Sequence, residues 1–152
     1  MKNILPKSNR GFTLIELLVV IGVLTILLSI VLIAINPQRQ FQQANDTQRR
    51  SDVSAILNAI HQYSADNSGS LPSAISTSEG IIVSGSSAGQ IDICDDLVPT
   101  YIAEMPVDPT SGSYTDCDTY SAGYSVVSTS SNRVTVSANS EVTPAEEISV
   151  TR

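Results

Sequence analysis

The sequence predicts an α+β fold: a long N-terminal helix, membrane-spanning in its first half, packed on a small antiparallel β-sheet. Three observations carry this. An unbroken apolar run covers residues 12–35. A helical period follows, with Val53, Ile56, Leu57, Ile60 and Tyr63 on one face. Short β-prone segments at 124–128, 133–138 and 148–150 then alternate apolar and polar residues. A sheet this small is not stable alone and needs the helix face as its second layer.

The apolar run reads FTLIELLVVIGVLTILLSIVLIAI, 24 residues whose one charge is Glu16. At 1.5 Å per residue such a helix covers roughly 36 Å, enough for a bilayer core of about 30 Å. Lys2, Lys7 and Arg10 precede it and hold that end in the cytoplasm, so the bulk of the chain is expected outside. A cleaved secretory signal has a shorter apolar core and a small-x-small site, which Ala34-Ile35-Asn36-Pro37 does not supply. A plain membrane anchor explains length and topology but not Glu16. A carboxylate near the start of a bilayer helix costs a few kcal/mol and marks a functional site.

The order of basic residues, Gly11, Phe12-Thr13-Leu14-Ile15-Glu16 and a long apolar run resembles the prepilin leader and processing site of type IV pilins and type II secretion pseudopilins. The resemblance implies a single-pass inner-membrane precursor cut after Gly11 on the cytoplasmic side. The cutting peptidase also methylates the new N-terminus, Phe12. Removing the leader places a positive amine in an apolar environment. A buried amine and a buried carboxylate are each costly alone and far less so as a pair. Glu16 lies about one helical turn from Phe12, so a pair within one chain is available; the family implies a pair between neighbouring subunits. Gly22, Thr25 and Ser29 either permit close helix packing or are tolerated passengers.

The expected organisation is a cleaved leader at 1–11, a transmembrane and filament-core half of the helix at 12–35, an amphipathic half at 36–65, and a small β-rich head at 66–152. Asn36-Pro37 interrupts the helical pattern, and the proline predicts a kink or a short melted segment. The family's usual Pro earlier in the apolar run is missing. Beyond it, Gln42, Gln43, Asp46, Gln48, Arg49 and Asp52 read as the solvated face, with Asp46 reaching Arg49 and Arg50 for a few tenths of a kcal/mol. Asn45-Asp46-Thr47 matches an N-glycosylation pattern but reads as chance on a helix. His61 has no metal-binding companions and reads as a boundary residue.

Residues 66–72 supply helix stop signals, and 73–90 read as a loop with at most a short strand. Residues 101–109, with Pro106 and Pro109, resemble the connector that leads from helix to sheet in small pilins and pseudopilins. Two prolines so close forbid a central strand there. Cys94 and Cys117 lie on the exported side, where two cysteines favour a disulfide. That bridge is expected to draw Asp92, Asp95 and Asp96 toward Asp116 and Asp118. Five carboxylates together form either a solvated acidic face or an oxygen site for calcium, the one cofactor the sequence suggests.

The chain carries a net charge of −7, and without its leader five arginines face fifteen carboxylates, a net of −10. Such a surface has no bulk attraction for nucleic acid. There is no nucleophile elbow, phosphate loop or zinc pattern, so no enzyme is expected. The resemblance implies a structural subunit that assembles with copies of itself through its hydrophobic helix, served by a prepilin peptidase/methyltransferase and an assembly platform. The alternatives are a type II secretion pseudopilin, whose filament is periplasmic rather than at the surface, and a minor pilin for adhesion or DNA uptake.

Overall fold

In a computed structural model, residues 11–85 and 87–152 are described; the expected leader before Gly11, with Lys2, Lys7 and Arg10, lies outside them. The chain divides into two units, the first ending at Gln40 and the second covering Phe41–Arg152.

In the first unit α1 covers Leu14–Ile35, and every one of its residues is exposed. Among the described residues it is the one helix long and apolar enough to cross a membrane. Its two hydroxyl residues are satisfied within the helix: Thr25 donates to the Ile21 carbonyl at 2.8 Å and Ser29 to the Thr25 carbonyl at 2.9 Å. α1 ends at Asn36, whose backbone is left-handed at φ 47° and ψ 79°. Pro37 opens the next helix, so Asn36 stands between the two.

α2 covers Pro37–Asp66. Its predicted apolar face is buried at Val53, Ile56, Leu57 and Ile60, with Ala59 beside them. It ends where Ser68 and Gly69 take positive φ and the Gly69 N–H bonds the Ser64 carbonyl at 2.8 Å. The strands are β1 (Gly80–Val83), β2 (Gln90–Ile91), β3 (Ser113–Asp116), β4 (Thr119–Ser128), β5 (Val134–Asn139) and β6 (Glu147–Thr151), with a short α3 at Cys94–Leu97 between β2 and β3. The sheet order is β2-β1-β4-β5-β6, with β3 also on β4. Among the described strands, β1 and β2 pair in parallel and the other pairs are antiparallel. One core joins the α2 face to Ile82, Ile93, Leu97, Met105, Tyr124, Val126, Val134 and Val136.

The β4–β5 hairpin and β6 lie where the alternation predicts. The segment at 80–83, expected as at most a short strand in a loop, lies inside the sheet between β2 and β4, with Ile82 fully buried. β2, β3 and α3 are too short to leave a period in the sequence. Residues 101–109 form no strand, as the two prolines require.

Strand register explains where the connector goes. Ser121 faces Val83 on one side and Ser113 on the other, and Ser125 faces Ile81 and Ser137. β3 and β5 therefore follow one another along the same edge of β4. In the gap between them the Ala122 carbonyl accepts the Asp108 N–H at 2.8 Å. Gly123 sits at the gap with φ 76°, and a Cβ there would lie 2.8 Å from the Asp108 Cβ. Only glycine meets both demands without strain.

Candidate functional site

The residues expected to be processed stand at the exposed start of the first unit. Gly11, Phe12 and Thr13 precede the helix, and Phe12 is 85% exposed. Thr13 is the N-cap of α1. Its Oγ1 accepts the Glu16 N–H at 3.3 Å, while the Thr13 N–H reaches back to Glu16 Oε2 at 3.5 Å. The Thr13 hydroxyl donates to the same oxygen at 3.5 Å. This reciprocal capping box satisfies two N–H groups that the first turn leaves without helical partners. A carboxylate at a helix N-terminus is also favoured by the helix dipole. The structure thus turns Glu16 back toward residue 13, one turn from Phe12. Thr13 was not singled out from the sequence, although its T-x-x-E spacing is the signature of this cap.

The second unit contains a buried polar cluster on the α2 face that the sequence presents as solvated. Asp46, Arg49 and Asp52 are 2%, 3% and 7% exposed. The expected few-tenths surface pair of Asp46 and Arg49 is instead the centre of a five-residue network. Arg49 Nη1 donates to Asp46 at 2.9 Å, Nη2 to Glu141 at 2.8 Å and to Thr110 at 2.9 Å, and Nε and Nη2 both donate to Asp108. Asp46 also accepts from the Ser140 hydroxyl at 2.6 Å and from the backbone N–H groups of Glu141 and Val142. Asp108 accepts from the N–H and hydroxyl groups of both Thr110 and Ser111. The physical reason for the burial is that the connector and the β5–β6 loop fold over this part of α2.

The electrostatics follow from the geometry. Burial pushes the Asp46 carboxyl up, but the bonds from Ser140, the two backbone N–H groups and Arg49 prevail and hold it at about 2. Asp108 is likewise held well below the usual carboxylate range, burial being outweighed by Arg49 and the Thr110–Ser111 donors. The Asp108 bond raises Arg49 above its ordinary value against the effect of burial. Asp52 accepts from Tyr124 Oη and from Gln48, both at 2.8 Å, and burial followed by this bond raises the Tyr124 phenol. Asn45 donates its side-chain amide to Glu141 at 3.0 Å. His61 is half-buried, and its Nε2 has no hydrogen-bond partner among the described residues.

Cys94 and Cys117 form a disulfide, with Cα atoms 5.3 Å apart. Asp92 spends its oxygens on Tyr120 Oη at 2.8 Å and on the backbone N–H groups of Gly85 and Cys94. Asp96 is half-buried, and its carboxyl is raised by burial and by the charges of Asp95 and Asp92. Asp95, Asp116 and Asp118 are exposed. Among the described residues no three His, Cys, Asp or Glu side chains group as a metal site.

Residues 6–32 match the family model of the prokaryotic N-terminal methylation motif. Neither the curated proteins nor the solved structures contain a match to this chain.

Proposed function

We propose that this chain, which carries the N-terminal methylation motif typical of type IV pilins and type II secretion pseudopilins, is a structural subunit of a type IV pilus-like filament. A prepilin peptidase cuts after Gly11 and methylates Phe12. The segment 12–35 first anchors the chain in the inner membrane and then packs with copies of itself in the filament core. Residues 36–65 join it to the head at 66–152, which coats the outside. Glu16 neutralises the Phe12 amine of a neighbouring subunit and sets its register.

One observation supports this reading: an exposed apolar helix that begins within the motif holds a single carboxylate in its first turn, bonded to Thr13, the residue after the expected new N-terminus. A bare anchor has no use for that charge. The ordinary shaft role follows from a compact head and the presence of Glu16. The acidic head disfavours DNA uptake.

The test is the N-terminal peptide mass of the chain in membrane and in sheared surface fractions. A chain beginning at N-methylated Phe12 in sheared material supports the pilus subunit. The same processed chain confined to the envelope makes it a pseudopilin. An uncut chain beginning at Met1 overturns the reading.

A further inference from the structure

We propose that the heads of two copies of this chain pair through the free edge of β6, antiparallel about a two-fold axis at Ser149. The sheet path ends in two unlike strands. β2 at one edge has two residues, whereas β6 at the other has five and carries neither proline nor lysine, residues that commonly blunt an exposed edge. Val134 and Arg152 exchange both backbone bonds, at 2.7 and 3.0 Å. Bonded pairs alternate along an antiparallel ladder, so Val136–Val150 and Ala138–Ile148 are the next ones. Glu147, Ser149 and Thr151 therefore aim their N–H and C=O groups away from β5, and all three residues are exposed. Among the described residues no strand lies on that side.

The edge also has room beside it. Arg50 and Ser54 of α2 and the consecutive residues Glu146–Val150 line a cavity of about 390 Å³. Neighbouring residues of a strand place their side chains on opposite faces, so a cavity that touches them all reaches the backbone edge itself. An added strand can lay there the side chains it turns toward α2.

The occupant is set by the sequence of β6. In register about Ser149, Glu147 bonds the partner's Thr151 and Ser149 bonds the partner's Ser149, which uses every outward group of the strand. Ile148 then faces the partner's Val150, apolar against apolar. Glu146 faces the partner's Arg152 and Arg152 the partner's Glu146, so opposite charges meet at both ends and like charges at neither. A second copy of this chain thus supplies the complement that the edge asks for. A two-fold contact of this kind closes after two chains and does not propagate, which sets it apart from the helix packing proposed for a filament core.

The test is oxidative cross-linking of the full-length chain in detergent micelles, with Cys94 and Cys117 kept as their disulfide. Hydrogen-bonded antiparallel partners lie about 5.5 Å apart at Cα, within disulfide range. Ser149→Cys is expected to give a covalent dimer, and Ser131→Cys, in the exposed turn between β4 and β5, to give none. In the Ser149→Cys background, Glu146→Arg or Arg152→Glu alone sets like charges against each other at both ends and should cut the dimer yield about five-fold. Mixing those two chains before oxidation sets opposite charges at both ends again and should restore the yield, which damage to either fold could not do. The edge contact is overturned by the absence of a dimer from Ser149→Cys, by equal cross-linking at Ser131, by an unchanged yield from the single charge reversals, or by a mixture that does not recover. Neither cleavage nor a filament enters the assay, so the processing prediction holds or fails separately.

Discussion

Arg49 and Asp108, fifty-nine positions apart, meet as a buried two-pronged ion pair that fastens the connector to the long helix. The pair lies at the gap in the β4 edge, where the Asp108 N–H also binds the Ala122 carbonyl. One residue therefore ties the helix, the connector and the sheet together.

Removing Arg49 leaves Asp46 and Asp108 buried without their cation. Breaking a buried pair by deleting one partner costs about 3–5 kcal/mol. Arg49→Met is expected to lower the unfolding free energy by that amount. Arg49→Lys keeps the charge but cannot serve four side chains from one ammonium, so it should recover only part of the loss. Urea unfolding of the detergent-solubilised chain, followed by circular dichroism, measures both. A loss below about 1 kcal/mol for Arg49→Met, the range of exposed pairs, would mean that the network is solvated.

The same carboxylates fix a pH dependence. Asp46 is lowered from 3.8 to about 2, so its contribution is complete above the unfolded value and is lost as pH falls through the folded one. Asp108 is shifted in the same direction. Head stability is expected to decline from about pH 4 downward, with Asp46 alone supplying about 2 kcal/mol of the change. Asp46→Asn should flatten part of that slope as well as lowering stability at neutral pH. An unchanged slope would assign the acid sensitivity to other groups.

What the sequence revealed and what it concealed divide by range. The α2 core face and the β4–β5 hairpin were legible because periods of 3.6 and 2 are local signals. Ile82 was not given a place inside the sheet, since four residues in a Ser/Gly-rich stretch carry no period. Arg49 was misread because a charged helix residue looks solvated until its partners are known. Two of those partners, Asp108 and Glu141, lie 59 and 92 positions away. Gly11, Phe12 and Glu16 could be singled out for the opposite reason: they lie close together in one short motif.

The disulfide encloses Asp108 in the ring between Cys94 and Cys117, a separation of 23 residues. Closing a loop of this size is worth roughly 3 kcal/mol on the chain-entropy model. The paired substitution Cys94→Ser/Cys117→Ser should lower stability by about that much. Since the ring and the ion pair restrain the same segment, combining it with Arg49→Met should depart from additivity by more than about 0.5 kcal/mol. Simple addition in a double-mutant cycle would show that the ring and the pair act independently.

Gly123→Ala tests the close approach at the gap. The new methyl meets the Asp108 Cβ at 2.8 Å, and φ 76° is unfavourable for alanine. A loss of about 1–3 kcal/mol is expected, the cost of holding a residue in a sparsely populated conformation. The Asp108 N–H should also exchange faster with solvent, because the methyl pushes it from the Ala122 carbonyl. A neutral substitution with unchanged exchange would mean that the connector moves aside freely.

Glu16 has one role in the structure and one in the proposed filament, and substitution can separate them. It completes the Thr13 capping box, and on the proposed reading it supplies the charge that pairs with the new amine of Phe12. Glutamine preserves the cap, since its carbonyl accepts the same Thr13 N–H, but it carries no charge. Both Glu16→Ala and Glu16→Gln are expected to be cleaved after Gly11 and to fail in filament assembly. If Glu16→Gln assembles and Glu16→Ala does not, the side chain acts as a helix cap and the charge pair is dispensable. If both assemble, Glu16 is a passenger and the apolar helix suffices. Sheared-filament yield, measured beside the N-terminal peptide mass, separates these outcomes, because an uncut chain would fail to assemble for a different reason.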